Sequence, residues 1–220
     1  MTKHPDRAKC LSYLKDYNTP KHVVGHCKSV AAVACRIGKA LNEAGGTIAP
    51  DFKDVRFRSY KSPGGRNRYR VSHTSLKKAG HSYRKFDIDL VRAAGLLHDM
   101  ARVEDRHWDV CADFCKKKGL YEEEHIVRVH MQYEFTTDAF HLTEADLVSI
   151  GDRLSLEDKY AGLDKRMEYI IRKAERAGNY SARKTILKKK EETRKLLNQI
   201  EKRIGMSIDK LMEDIDYENE

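Results

Sequence analysis

Ala94-Gly95-Leu96-Leu97-His98-Asp99-Met100-Ala101-Arg102-Val103 ends an apolar helical run on two adjacent ionisable residues. At the edge of a core a carboxylate is costly unless paired, and both ring nitrogens of a histidine need partners. The stretch alone leaves two readings open: a helix end that carries ligands, and a capped, half-exposed one. The rest of the chain supplies the context.

The helices around this stretch repeat its pattern. Arg7 to Tyr17 reads as a short amphipathic helix, followed by Thr19 as a cap and Pro20 in the first helical position of the next. That helix runs to about Ala44, with Val23, Cys27, Val30, Ala34, Ile37 and Leu41 in steps of three and four, His26 beside the stripe and Gly45-Gly46 as the stop. The helix with the quoted stretch spans about Asp89 to Ala101. One from Val103 to Lys118 aligns His107 with Cys111 and Phe114, and one from Glu122 to Tyr133 aligns His130 with Ile126. Thr143 followed by Asp146 opens a helix on which Ala145, Val148, Asp152 and Leu156 share a line. A helix from Asp164 to Ala177, a long charged one from Ser181 to about Arg203 and a last short one after Ser207 complete the pattern. The narrow stripe of the long one suits the domain edge or a second subunit, as in a homodimer.

Charge is concentrated in one place. The chain carries a net +9, and residues 51–85 hold eleven Lys/Arg against Asp51 and Asp54, so this segment accounts for the whole excess. Val55-Arg56-Phe57-Arg58 and Arg68-Tyr69-Arg70-Val71 alternate with period two around Ser62-Pro63-Gly64-Gly65, which predicts a β-hairpin. Its apolar face would carry Val55, Phe57, Tyr69 and Val71. The other would gather Arg56, Arg58, Arg68 and Arg70, an arrangement that repels itself unless an anion such as a polyphosphate or a nucleic-acid backbone lies among them. The alternative is a basic loop that charge keeps solvated.

Five cysteines without a CxxC pair read as reduced thiols, and no apolar run is long enough for a signal peptide core or a membrane span. The expectation is a cytoplasmic protein that does not engage a membrane. Its fold class is expected to be all-α with a small basic hairpin insertion. The main domain would cover residues 1–180, with the insertion at 51–85, and residues 181–220 would form a C-terminal helical extension.

His26, His98, Asp99, His107, His130 and Asp152 thus come from five helices, each on or beside a buried stripe. Mutual hydrogen bonds satisfy so many groups poorly, whereas imidazoles and carboxylates without a thiolate suit a divalent ion such as Fe, Mn, Mg, Ni or Zn. His4, His22, His73, His81, His125 and His141 read as non-ligands, although His73 or His81 in the insertion could touch a substrate.

The order His…His-Asp…His…His…Asp resembles the HD superfamily of metal-dependent phosphohydrolases, from about Thr19 to Arg166 without the insertion. His26-Cys27-Lys28-Ser29-Val30-Ala31 looks like the first-ligand helix, Gly95-Leu96-Leu97-His98-Asp99-Met100-Ala101 like the namesake motif, and Ala145-Asp146-Leu147-Val148-Ser149-Ile150-Gly151-Asp152-Arg153 like the last-ligand helix. The resemblance implies an HD-domain helical bundle in which His26, His98, Asp99 and Asp152 hold a first metal. His107 and His130 are similar to the extra ligands of members with a second, such as the symmetrical dinucleoside-tetraphosphate hydrolases. Met100-Ala101 stands where the HD-GYP phosphodiesterases continue their motif.

The activity that the resemblance implies is hydrolysis of a phosphate ester or anhydride in a nucleotide or other phosphorylated small molecule. Asp99 would bridge two ions, and His98, Asp99 and Arg102 would carry the catalysis. Lys28, Arg102, Arg153 and Arg166 would meet the substrate phosphates with the hairpin arginines; Arg153, Lys28 and Arg166 could as well pair with surface carboxylates. Two other readings remain: a nuclease or phosphodiesterase whose arm tracks a nucleic-acid strand, and a metal-stabilised module that binds nucleotide or nucleic acid without turnover.

Overall fold

The computed structural model describes residues 3–61, 67–72, 83–135 and 138–220. The expected turn Ser62-Pro63-Gly64-Gly65, together with His73 and His81, lies outside them. The described chain is mostly helical with one small antiparallel hairpin in the 51–85 segment.

Helix α1 (Arg7–Asp16) starts where the Asp6 carboxylate accepts from the Lys9 amide at 2.7 Å, and buries Cys10 and Leu14. The central helix is α2 (Lys21–Glu43). Pro20 is its cap, so the helix starts one residue later than expected, and Thr19 does not cap it: its hydroxyl donates to the Met100 carbonyl at 2.9 Å. That bond ties the start of α2 to the loop after the His-Asp pair. At the far end Gly46 has a φ of +82°, and a Cβ there would lie 2.0 Å from the Arg84 carbonyl oxygen, so only glycine fits the turn.

Helix α3 (Ile88–Leu97) is capped by Asp87, whose carboxylate accepts from the Leu90 amide. It stops at Leu97 and not at Ala101, so His98 is its cap residue and Asp99 lies in the turn beyond it. Helix α4 (His107–Lys117) likewise begins later than the periodicity predicts, after Arg106 in a left-handed conformation. Helix α5 (Tyr121–Val129) passes into a 3-10 turn (His130–Gln132). Helix α6 (Glu144–Leu154) opens with the predicted capping box: the Thr143 hydroxyl donates to Asp146, whose carboxylate also accepts from the Thr143 amide. It ends before Leu156, which pairs instead in a two-residue hairpin of β3 (Ser155–Leu156) and β4 (Lys159–Tyr160). Glu157 takes a φ of +57° in that turn.

Helices α7 (Gly162–Arg176), α8 (Ala182–Ile204) and α9 (Ile208–Leu211) complete the chain. α2 packs mainly on α3 and α6. Leu196, Leu197, Ile200, Ile208 and Met212 sit in one core with Val30, Ile37 and Leu147, so the expected 181–220 extension shares the core of the preceding residues. The last residue is tied in too, with Glu220 paired to Arg36 and Lys39 of α2. No described helix is long and apolar enough to cross a membrane.

The basic hairpin consists of β1 (Phe57–Lys61) and β2 (Asn67–Val71), with Phe57 opposite Val71 and Arg58 opposite Arg70. Phe57, Tyr69 and Val71 pack on the core as their alternation predicts. The Glu134 amide donates to the Tyr69 carbonyl at 2.9 Å, which fixes β2 beside the segment after His130.

Candidate metal centre

Four elements bring their ionisable groups to one place. His26 comes from the second turn of α2, His98 and Asp99 from the end of α3, His107 from the first residue of α4, and His130 from the turn after α5. Asp99, fully buried, is the common member. Its Oδ2 lies 3.6 Å from His26 Nε2 and 3.4 Å from His98 Nε2, and its Oδ1 lies 3.0 Å from His107 Nε2 and 3.4 Å from His130 Nε2. Two groups result, His26-His98-Asp99 and Asp99-His107-His130, each with its donor atoms close enough to hold one ion. Asp152 of α6 lies beside the first, its Oδ1 3.1 Å from His26 Nε2.

The tautomers make this more than proximity. Nδ1 of His98 is 2.7 Å from the Gly95 carbonyl oxygen, and Nδ1 of His130 is 2.7 Å from that of Val127. A carbonyl only accepts, so Nδ1 bears the proton in both rings and Nε2 presents a lone pair. That lone pair faces a carboxylate oxygen, which also only accepts. Nε2 of His98, His107 and His130 and Oδ1 of Asp99 are accordingly buried without hydrogen-bond partners. Such a cluster of orphans is rare in folded proteins, and a cation in each of the two groups would satisfy them.

Electrostatics supports the neutral state at His107 and His130, whereas at His98 burial is outweighed by the Cys27 side chain and the ring is raised. Burial pushes His107 down to about 4, with the Arg102 charge adding to the effect, and pushes His130 down to about 3. Both rings are therefore neutral at pH 7 and able to coordinate. Asp152 resists the cost of burial because His26 hydrogen-bonds to it and Arg166 stands beside it, holding its carboxyl well below the usual carboxylate range. The donor set, nitrogen and oxygen without thiolate, fits a divalent ion of hard or borderline character.

The expected substrate-binding cations divide into several groups. Arg102 pairs with Asp99 Oδ2 within the turn that follows α3 and is partly exposed at the edge of the site. Arg166 is buried and bound to Asp152 through its side chain at 3.2 Å and its main-chain oxygen at 3.3 Å, so it holds a candidate ligand and does not face outward. Arg153 turns away from the centre: it donates to the Thr193 hydroxyl at 2.9 Å and the Tyr133 carbonyl at 3.1 Å, and covers the Phe135 ring. Lys28 sits two residues past His26, on another face of α2, and is paired with Glu218. On the hairpin, Arg56 precedes the strand and donates to the Lys53 and Val55 carbonyls, while Arg58 is exposed. Arg70 lies over the Tyr60 ring and Arg68 approaches Glu134, so an aromatic face and a carboxylate take part of the role foreseen for an anion.

Two features carry no clear sign in the sequence. His4 is buried among Asp87, Glu122 and Glu123, away from the centre. Lys189 of α8 is pushed down to about 8 by burial, with the Arg153 and Arg68 charges adding to the effect; as the middle of Lys188-Lys189-Lys190 it has nothing in the sequence that separates it from its neighbours. No family model matches the sequence, and neither a curated protein nor a solved structure matches it.

Proposed function

We propose that the chain is a metal-dependent phosphohydrolase of the HD type, acting on a phosphoester or phosphoanhydride bond of a nucleotide. The observation that supports it most is Asp99 with His98 at one oxygen and His107 and His130 at the other, the Nε2 atoms of all three rings being buried and unpartnered. His26, His98, Asp99 and Asp152 would hold one ion, and Asp99, His107 and His130 a second, with Fe, Mn, Mg, Ni and Zn all compatible with the donors. Ions bound there supply Lewis acidity toward a phosphoryl oxygen and acidify water at neutral pH.

The chain's own groups account for the rest. Gly95 and Val127 carbonyls orient the His98 and His130 rings, so their Nε2 atoms need no reorganisation. Arg166 keeps Asp152 ionised. Arg102, partly exposed and aimed at Asp99, is placed to exchange that carboxylate for a phosphoryl oxygen when substrate charge arrives.

The test is metal analysis of protein purified without chelator, paired with a hydrolysis screen over mononucleotides, dinucleoside polyphosphates and cyclic nucleotides with manganese or ferrous iron supplied. Bound metal with turnover that Asp99→Ala abolishes is the expected result. Bound metal without turnover on any member identifies a binding module instead, and full activity of Asp99→Ala ends the proposal.

A further inference from the structure

The candidate centre is sealed on one side and open on another. The His98 and Asp99 side chains are fully buried, whereas those of His107, Asp152 and Arg102 are 12, 25 and 34% exposed, so the centre meets solvent along these three. Trp108, the one tryptophan of the chain, stands at that opening. Its ring meets the His107 ring at 5.2 Å between centroids and 78° between planes, and the same imidazole has Nε2 3.0 Å from Asp99 Oδ1.

Helical spacing alone would put this side chain in the core. Residues 108, 111, 112 and 115 share a face of α4, and Cys111, Ala112 and Cys115 are fully buried on it. Trp108 nevertheless remains partly exposed and belongs to neither hydrophobic core, although Val110 and Phe114 of the same helix pack against one. The cause is direction: helical side chains lean toward the N-terminus, and from the second residue of α4 the indole leans past the helix start, toward His107. Among the described residues its N–H has no acceptor, and water reaches it. A ring of that size left partly in water gives up burial that tryptophan ordinarily supplies, and a flat partner would recover it.

We propose that Trp108 is the platform on which the base of the nucleotide stacks, one imidazole away from the carboxylate that the ions would share. This rests on the phosphohydrolase reading and deepens it: the substrate is held by its base as well as by its phosphate. Every base has a π-face, so the platform selects nucleotides over other phosphorylated small molecules and does not select one base over another.

The indole reports on itself, because no other tryptophan contributes to the emission. Protein purified without chelator and supplied with magnesium is titrated with adenosine and guanosine 5′-monophosphates, and with ribose 5-phosphate as a probe that has the phosphate and no base. Fluorescence and calorimetry are read in parallel. Both nucleotides should change the emission and bind more tightly than ribose 5-phosphate. Trp108→Ala should bind the nucleotides about tenfold more weakly, the ordinary size of base–aromatic stacking lost to alanine, and bind ribose 5-phosphate as the wild type does. Trp108→Phe should restore most of the loss, since it keeps a ring. Tyr180→Ala, which removes an exposed aromatic from the turn before α8, should bind like the wild type. A merely structural tryptophan would weaken both kinds of ligand together. That result, wild-type nucleotide affinity in Trp108→Ala, or equal wild-type affinity for nucleotides and ribose 5-phosphate overturns the platform. Nucleotide bound through Trp108 by a protein that cleaves nothing defeats the hydrolase reading alone. Turnover together with unimpaired nucleotide binding by Trp108→Ala defeats the platform alone.

Discussion

His107 places Nε2 3.0 Å from Oδ1 of Asp99, on the carboxylate oxygen opposite the one that His26 and His98 face. One carboxylate thus serves two donor groups, and variants should separate them. Asp99→Ala should lose metal from both, because each group includes it. His107→Ala should lose one ion and keep the other, since His26, His98, Asp99 and Asp152 are untouched. Metal analysis by mass spectrometry after gel filtration checks both; equal metal content in the two variants would contradict a shared aspartate.

Arg166 tests a different link. The HD resemblance assigns it to substrate, yet its guanidinium holds the side chain and main chain of Asp152. Arg166→Gln should therefore weaken metal binding by about 10–100-fold, the usual effect of losing a group that orients a ligand. It should also cost on the order of 2 kcal/mol of stability, below the roughly 3–5 typical of a fully buried pair because Asp152 retains 25% of its side-chain exposure. A metal titration and a denaturant melt read the two effects. A raised KM with unchanged metal affinity would return Arg166 to the substrate.

The clustering of the candidate residues was legible in part because helical periodicity places a side chain relative to its own helix, and His26, His98, His130 and Asp152 lie on or beside apolar stripes. Periodicity carries no information on what a second helix brings. Arg153 follows Asp152 by one residue, and the sequence could not show that α8 would offer Thr193 to it. The same gap hid Lys189, whose environment comes from β2 and α6. Element ends were misread where a turn competes with the helix: Leu156 continues the α6 stripe, but Glu157 adopts a left-handed turn and folds the chain into β3 and β4. The hairpin faces followed from alternation, while the partners of its arginines, Tyr60 and Glu134, depend on register and docking.

His4 predicts a pH dependence far from the centre. Its Nδ1 lies 2.8 Å from Glu123 and its Nε2 3.2 Å from Asp87. Burial opposes its charge, but the hydrogen bonds to Asp87 and Glu123 prevail and lift it to about 9, while Asp87 falls to about 2, chiefly through the bond to His4. A histidine raised in the folded state stabilises fully below its unfolded value near 6.5 and loses that contribution as pH rises through 9. The Asp87 part is present above about 3.8 and is lost as pH falls toward 2. Wild-type protein should therefore lose on the order of 2 kcal/mol between pH 6.5 and 9 that His4→Gln does not lose. Urea melts across that range check it; parallel curves would refute the coupling.

Gly95 sets how closely α3 approaches α2, and with it the distance between His98 and His26. A Cβ at residue 95 would stand 2.8 Å from the Ala31 Cα and 3.2 Å from its amide nitrogen, both backbone atoms that cannot turn aside. Replacing a helical glycine by alanine ordinarily gains about 1 kcal/mol of helix propensity. Overpacking of this kind costs about 1–3 kcal/mol, and here the clash should win because relief requires the two helices to part. The net loss of up to about 2 kcal/mol should lower the melting temperature of Gly95→Ala by up to about 8 °C, at roughly 2–4 °C per kcal/mol for a chain of this size. Because the parting also separates the His26 and His98 rings, now 5.4 Å apart between centroids, metal affinity should fall with stability. Calorimetric melts with and without added manganese decide the point: a variant that melts higher, or loses stability with no change in its manganese response, would show that this contact does not set the ligand spacing.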